Sequence, residues 1–347
     1  MADGVVAFTT FAFAGLARAL TLARSLKARH PGWRLCGVLV DRPGAGVDDE
    51  AWRRAFDLTL DAEALYDDGW RGFVFKHDAI EACAAVKGRA LARLFAQGAE
   101  KAIYLSPEIL VFHDLGEIER RLESASVLLS PHQLEPNEGR QAIADNEALS
   151  LKGGVYNLGF LGVRRDAAGL ALARWWTARL DRACFDDADG GGFDDQKYFD
   201  LAPALFDGVE VLRDPGCHVA SWNLSRREIE IGADGRILVN GRHPLKFFHF
   251  ASASGDGEFM TERYAKRRLA PYELWAYYKR ELAASGAPPG AGAPWAYSRF
   301  DDGAPIAYPA RRLYRGDPEL CARFPDPFAA GPDSYHAFLQ ASRPDLL

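Results

Sequence analysis

The sequence predicts an α/β fold: a central, mostly parallel sheet flanked by helices, followed by a C-terminal helical extension. Three observations lead there. Short apolar runs, Gly4 to Phe8, Leu35 to Val40 and Ala102 to Leu105, read as buried parallel strands, because a strand covered on both faces is hydrophobic throughout rather than alternating. Helical patterns separate these runs: Leu16, Leu20, Ala23 and Leu26 share one face between Gly15 and His30, and Phe73 to Lys101 is mostly helical. Beyond about Arg263 the pattern changes. A helix over Tyr272 to Ala284 precedes a Gly/Pro/Ala stretch from Ser285 to Gly292 and an aromatic, Pro-rich end with surface Arg311, Arg312 and Arg315. The division expected is therefore 1–262 for the main domain and 263–347 for an extension packed on it.

Bulk properties narrow the function. At 347 residues the chain can bury a large core, and 48% hydrophobic against 26% charged residues excludes disorder as a whole. A formal charge of −6 argues against nucleic acid as a partner. No run of 18 apolar residues exists, so no transmembrane helix is expected, and the N-terminus lacks the basic segment of a secretory signal. Cys36, Cys83, Cys184, Cys217 and Cys321 are odd in number and scattered without a CxxC pair. That points away from a disulfide framework or zinc site and toward a reducing cytoplasm.

The central stretch is KAIYLSPEILVFHDL, Lys101 to Leu115. Its strand stops at Ser106-Pro107-Glu108, since Pro107 has no N–H to extend a ladder, and a second run follows from Ile109 to Phe112. Ligands of open α/β sheets bind beyond the carboxyl ends of the strands, so this polar turn is where a phosphate-bearing ligand or its metal would sit. The first strand ends in Thr9-Thr10, and Asp41 caps the second. Neither GxGxxG nor GxxxxGK[ST] is present, which disfavours dinucleotide and P-loop readings. Leu115 to Ser124 reads as a helix and Ala125 to Ser130 as a strand; Glu135 to Ala148 is polar and reads as a loop over a site. Tyr156 to Val163 is a strand behind Gly153-Gly154, and Ala167 to Cys184 a helix whose Trp175-Trp176 belong to the core. The acidic loop DDADGGGFDDQKYFD lacks the spacing of a calcium loop, and its Asp195 would suit a helix N-cap. Val209 to Leu212 reads as a short strand. Asp234-Gly235 and Asn240-Gly241 are turn dipeptides bracketing the strand Ile237 to Val239. Leu245 to Phe250 is an aromatic strand carrying His249.

Taken in order, these motifs resemble those of bacterial GT-A glycosyltransferases, in particular the retaining enzymes classed as family eight. Ser106-Pro107-Glu108 resembles the turn that carries their Asp-X-Asp metal motif, with Ser106 and Glu108 at the two acidic positions. Lys87 stands where a helix lysine reaches the sugar nucleotide, with Gly88 in place of the usual proline. Asn157 matches the Asn that faces the donor sugar, Asp195-Gln196 the pair that opens a helix beside the anomeric carbon, and His249 the late histidine near metal or diphosphate. His218 occupies a position where Asn is usual, while Trp222 and Asn223 match. The resemblance implies a GT-A, Rossmann-like sheet and transfer of a sugar from a nucleoside diphosphate sugar, commonly UDP-linked, to an acceptor hydroxyl with retention. Asp195, Gln196 and Asn157 become the catalytic candidates. Thr9, Thr10, Phe11, Asp41, Lys87, Ser106, Glu108 and His249 become the nucleotide-sugar-binding ones. Glu108 and His249 are the candidate ligands for Mn²⁺ or Mg²⁺, held weakly or not at all because a serine hydroxyl coordinates weakly. The alternative is that Lys87 and nearby Arg residues neutralise the diphosphate. A glycan, lipid-linked or protein acceptor is implied, in the cytoplasm or peripherally at the inner membrane. Two other readings stand beside this one: a GT-A-like binding or scaffold protein without activity, and a nucleotidyltransferase, for which the first strand turn lacks the expected motif.

Overall fold

The computed structural model describes residues 4–43, 49–185, 195–251, 256–286 and 294–347. Most of the acidic loop (186–194) and of the Gly/Pro/Ala stretch (287–293) lies outside the described residues.

Seven strands form the central sheet: β1 (Val5–Phe11), β2 (Arg34–Leu39), β3 (Leu58–Asp61), β4 (Lys101–Leu105), β6 (Val127–Pro131), β7 (Tyr156–Arg164) and β8 (Val209–Val211). Their order is β3-β2-β1-β4-β7-β6-β8. All neighbours are parallel except β7, which runs antiparallel between β4 and β6. This is the mostly parallel, helix-flanked α/β sheet that the sequence predicts. The first strand is longer than expected, because Thr9, Thr10 and Phe11 continue the register against Gly37, Val38 and Leu39. β-Branched threonines extend a pleated strand as readily as valine.

Side chains alternate along β1. Val5, Ala7 and Phe11 join the core under helix Leu16–Arg29, built on Leu16, Leu22 and Leu26. Val6 and Phe8 face the other core, with helices Lys87–Ala96 and Ala167–Leu180. Those two helices meet at Gly88, where an added Cβ would lie 2.9 Å from the backbone nitrogen and Cα of Thr177. The glycine is thus explained by a close helix crossing. Gly88→Ala is expected to lower stability by about 1–3 kcal/mol through overpacking, despite gaining up to about 1 kcal/mol in helix propensity. Urea unfolding checks this; an unchanged midpoint would show that the crossing yields.

Two small sheets complete the fold. One pairs β5 (Ile109–Val111) with β13 (Phe247–His249), which also pairs β9 (Val219–Ala220). The other joins β10 (Ile229–Ile231), β11 (Ile237–Val239) and β12 (His243–Pro244), with Asn240 and Gly241 at positive φ (52° and 70°) in the predicted tight turn.

Residues 140–153 are helical, not the loop that their polarity suggests: a π-helical turn spans Ile143–Ala148 and an α-turn Leu149–Gly153. Asn146 is buried and donates to Asn137 Oδ1 and Ser225 Oγ, and Asp145 accepts from Arg263 and Tyr264, so tertiary anchors order the segment. The arginines of the end are not all at the surface either. Arg311 is buried and donates to the carbonyls of Phe75, His77 and Tyr297. Arg315 pairs with Glu81, which also accepts from Tyr308. Phe300, Tyr314, Phe328 and Tyr335 share the core of Phe75, so residues 294–347 pack against the sheet's helical layer. Among the described residues, no helix is long and apolar enough to cross a membrane.

Candidate functional site

Pro107 breaks the chain two residues beyond the last position of β4, and the backbone uses the break to build a site. Ser106 N–H still donates to Gly159 O of β7, at 2.8 Å, and the Ser106 hydroxyl accepts from Glu108 N–H. β5 then pairs with β13, and Phe250 N–H donates to Glu108 O. A cavity of about 450 Å³ opens at the carboxyl ends of β1 and β4, lined by Thr10, Phe11, Lys87, Ser106, Glu108 and Asp195. These residues come from separate stretches of the chain. A polar pocket at strand ends is the expected ligand position in an open α/β sheet.

The cavity holds a buried ion pair. Lys87 Nζ lies 2.6 Å from Asp195 Oδ2, and both residues are 7% exposed. The ammonium also sits 4.3 Å from the Tyr104 ring centroid. Burial pulls the lysine toward the neutral form, but the Asp195 carboxylate and Tyr104 outweigh it and hold its pKa above the ordinary value. Asp195 is not the helix N-cap that its position suggests; the 3₁₀ turn Lys197–Leu201 starts at Gln196 without a side-chain cap. A second pairing crosses the cavity mouth, where Arg18 lies 3.5 Å from Glu108. The two acids and two bases balance. Cys83 on the same wall is held as a thiol, pushed up to about 12 by burial, and offers no nucleophile.

Behind Glu108 stands a cluster of histidines. His249 Nε2 is 4.0 Å from Glu108 Oε2, and its Nδ1 is 3.0 Å from His218 Nε2. Asn157 Nδ2 donates to His132 Nε2 at 3.0 Å, and its Oδ1 accepts from Gly159 N–H at 2.8 Å. Burial keeps these rings neutral: His249 is lowered to about 3 and His132 to about 4. Gly159 makes the cluster possible. An added Cβ there would lie 2.4 Å from His249 Cε1 and 2.8 Å from Asn157 Oδ1. Gly159→Ala is expected to displace both side chains and lower stability by about 2–3 kcal/mol, with ligand affinity falling in parallel. A shift below about 0.5 kcal/mol in urea unfolding would mean that the His249 ring swings aside freely.

Five candidates do not line the cavity: Asn157 and His249 belong to the histidine cluster, and Thr9, Asp41 and Gln196 lie elsewhere. Thr9 is fully buried on the β1 face under helix Leu16–Arg29, because alternation turns it away from Thr10. Asp41 accepts from the backbone N–H groups of Phe13, Arg42 and Ala296, tying the β2 end to the C-terminal segment. Burial raises its pKa while those bonds oppose the rise. Gln196 donates to Gly153 O at 3.0 Å and lines a second cavity of about 480 Å³, whose wall includes His132. Asp195 and Gln196, adjacent in sequence, therefore face different cavities. The sequence reading missed Arg18, Tyr104, His132 and Gly159 as parts of the site. It noted His218 by resemblance, but not its positive φ of 51°, which no sequence pattern reveals.

Glu108 and His249 are the donors that a divalent cation would find. Among the described residues no third His, Cys, Asp or Glu joins them in a metal-sized group. Two donors 4.0 Å apart can share one cation whose remaining positions are filled by water or by oxygens of a ligand.

No family profile matches the chain. Two uncharacterized proteins of Bacillus subtilis (strain 168) are similar to it: YfnF, 30% identical over 153 residues (44% of this chain, 49% of YfnF), and YfnD, 25% identical over 155 residues (44% and 47%). The chain spans about half the length of the curated relatives it matches. Among solved structures, the galactosyltransferase LgtC bound to donor and acceptor sugar analogs overlaps 81% of this chain and 95% of its own, at 13% identity and a TM-score of 0.45. The glycosyltransferase GlyE of Streptococcus pneumoniae TIGR4 overlaps 86% and 67%, at 15% identity and a TM-score of 0.45.

Proposed function

We propose that the chain is a glycosyltransferase that moves a sugar from a nucleoside diphosphate sugar, UDP-linked by preference, to an acceptor hydroxyl with retention. Residues 1–262 are the catalytic unit in this reading, and 263–347 its packed extension. The observation that carries it is convergence. Thr10-Phe11, Lys87, Ser106–Glu108 and Asp195, each placed by motif order, line one cavity at the carboxyl ends of β1 and β4.

The chemistry follows from charge. The acceptor's hydroxyl oxygen forms a bond to the anomeric carbon, the diphosphate leaves with the electron pair of the old bond, and the hydroxyl proton passes to the departing diphosphate oxygen. Negative charge grows on the diphosphate, so fixed positive groups must face it. Lys87 and Arg18 are those groups, each matched by an acid of the cavity. The diphosphate must therefore displace Asp195 and Glu108 from their partners, or arrive with its own cation. A divalent cation, where used, would be held by Glu108 and His249 and would polarise the leaving oxygens. Burial keeps His249 neutral and so able to offer a lone pair at ordinary pH.

One observation favours the alternative of a binding protein without turnover. Both polar ends of the Asn157 amide are engaged inside the protein, leaving less for a sugar hydroxyl. Thermal-shift titration with UDP, GDP, TDP and CMP and their sugars, in Mn²⁺ and in EDTA, separates these readings when paired with a product assay. Stabilisation by one nucleotide sugar, with release of its nucleotide, is the expected result. Stabilisation without release supports the binding protein, and no binding by any donor overturns the proposal.

A further inference from the structure

Two carboxylates outside the first cavity each join one of its walls to the C-terminal segment. One wall is the helix Ala79–Ala85, whose Ile80, Cys83 and Ala84 face the cavity at helical spacing. Glu81 points away from that face and is 7% exposed. Its Oε2 accepts from Asp78 N–H at 2.9 Å, while Asp78 Oδ1 accepts from the N–H groups of Ile80 and Glu81, each at 2.8 Å. This capping box shapes the first turn of the helix, the turn that carries Ile80. Glu81 Oε1 then accepts from Tyr308 O–H at 2.6 Å, and Arg315 lies 3.4 Å from the carboxylate. The extension therefore holds the cap from behind.

The other wall is the turn after β1, where Phe11, Ala12 and Ala14 line the cavity. Phe13 N–H, between Ala12 and Ala14, donates to Asp41 Oδ2 at 3.1 Å. Asp41 Oδ1 accepts from Ala296 N–H at 3.0 Å, and Trp295 Nε1 donates to Val40 O at 2.8 Å. One carboxylate thus bridges the turn and the extension. Both walls need such a brace. A helix of two turns is marginal by itself, and Ile80, at 82% exposed, gives its first turn little packing. The bonds from Tyr308 and Ala296 end on the cavity's walls, whereas other bonds of the same segment do not. Tyr335 O–H, for one, donates to Ala310 O at 2.8 Å, and both ends lie within the extension.

We infer that residues 294–347 position the first cavity for its ligand, with Glu81 and Asp41 as the positioning residues that carry the extension's packing to the two walls. That the ligand is a nucleotide sugar rests on the glycosyl-transfer reading above; the hold on the walls does not.

The test compares Tyr308→Phe with Tyr335→Phe in the full chain, since each deletes one hydroxyl bond of the same segment. Hydrogen exchange of peptides covering 78–86 and 11–18, calorimetry with UDP and GDP, and urea midpoints are read for both. Tyr308→Phe is expected to speed exchange in 78–86 about fivefold and to weaken nucleotide binding about as much, the share of one good hydrogen bond. Its urea midpoint should fall no further than that of Tyr335→Phe, which should leave wall exchange and nucleotide affinity unchanged. Asp41→Asn, whose NH₂ cannot accept, should speed exchange in 11–18 in the same way. Equal effects of the two tyrosine variants on affinity would overturn the inference, because the extension would then act through stability alone. Unchanged exchange of both walls in Tyr308→Phe and Asp41→Asn would overturn it as well. If the wild type bound neither nucleotide while the walls loosened as expected, the donor reading would fall and the positioning would stand.

Discussion

Lys87→Met is expected to destabilise the protein by about 3–5 kcal/mol, because it strands the Asp195 carboxylate in a nearly closed cavity. The methionine keeps the stem and its packing against Tyr104, so the loss reports charge rather than volume. Pairing the change with Asp195→Asn removes the stranded charge, and more than half of the lost stability should return. Urea midpoints of the two single variants and the double variant measure this. A cost below about 1 kcal/mol for Lys87→Met would mean that water reaches Asp195 and that the pair is a surface one. The sign with pH follows from the raised lysine pKa: its contribution is complete below the ordinary lysine value and is lost only as pH climbs through the higher folded value. At neutral pH the pair is at full strength. Nucleotide affinity should fall in both variants that lose the lysine, since the cavity then keeps only Arg18 as a cation.

Acid is expected to weaken the fold steeply. Burial lowers His77 and His249 to about 3 and His132 to about 4, and drives His218 well below its ordinary value. Each folded ring resists a proton that the unfolded chain accepts near pH 6.5, so the unfolded state binds more protons below that pH. Stability is level above it and falls as pH drops, by as much as about 1.4 kcal/mol per pH unit for each histidine until its folded value is reached. Urea unfolding at pH 7.5, 6.5 and 5.5 reads the slope. His77 lies against Phe73 and Phe185, away from the cavity, so His77→Phe should remove one histidine's share and leave ligand binding alone. A flat profile down to pH 5 would show that the rings are hydrated.

Much of this architecture was legible in the chain. Apolar runs located β1, β2, β4 and β7, because strands covered on both faces need continuous hydrophobicity, and the Asn240-Gly241 pair located a turn. Other features depend on partners distant in sequence. The order of Glu135 to Ala148 rests on Arg263, Tyr264 and Ser225, so local polarity read it as a loop. Arg311 and Arg315 looked like surface charge because nothing nearby shows the carbonyls and Glu81 that receive them. At the site, motif order found Lys87 and Asp195 separately but could not show that each occupies the other. Thr9 and Asp41 lie off the cavity wall for a simpler reason. A strand end and a strand cap supply backbone bonding roles that a sequence cannot tell from ligand contacts.

The pairing of β5 with β13 has a consequence for biosynthesis. His249 sits opposite Ile109 in that ladder, so the imidazole and the Glu108 carboxylate are held together by strands made far apart in time. β7, which carries Asn157 and Gly159, likewise inserts beside β4 only after both flanking segments exist. A ribosome-bound chain can thus pair β1, β2 and β4 early, yet Glu108 and His249 come together only once the segment around residue 250 has left the exit tunnel. The order of translation sets when that half of the site can form.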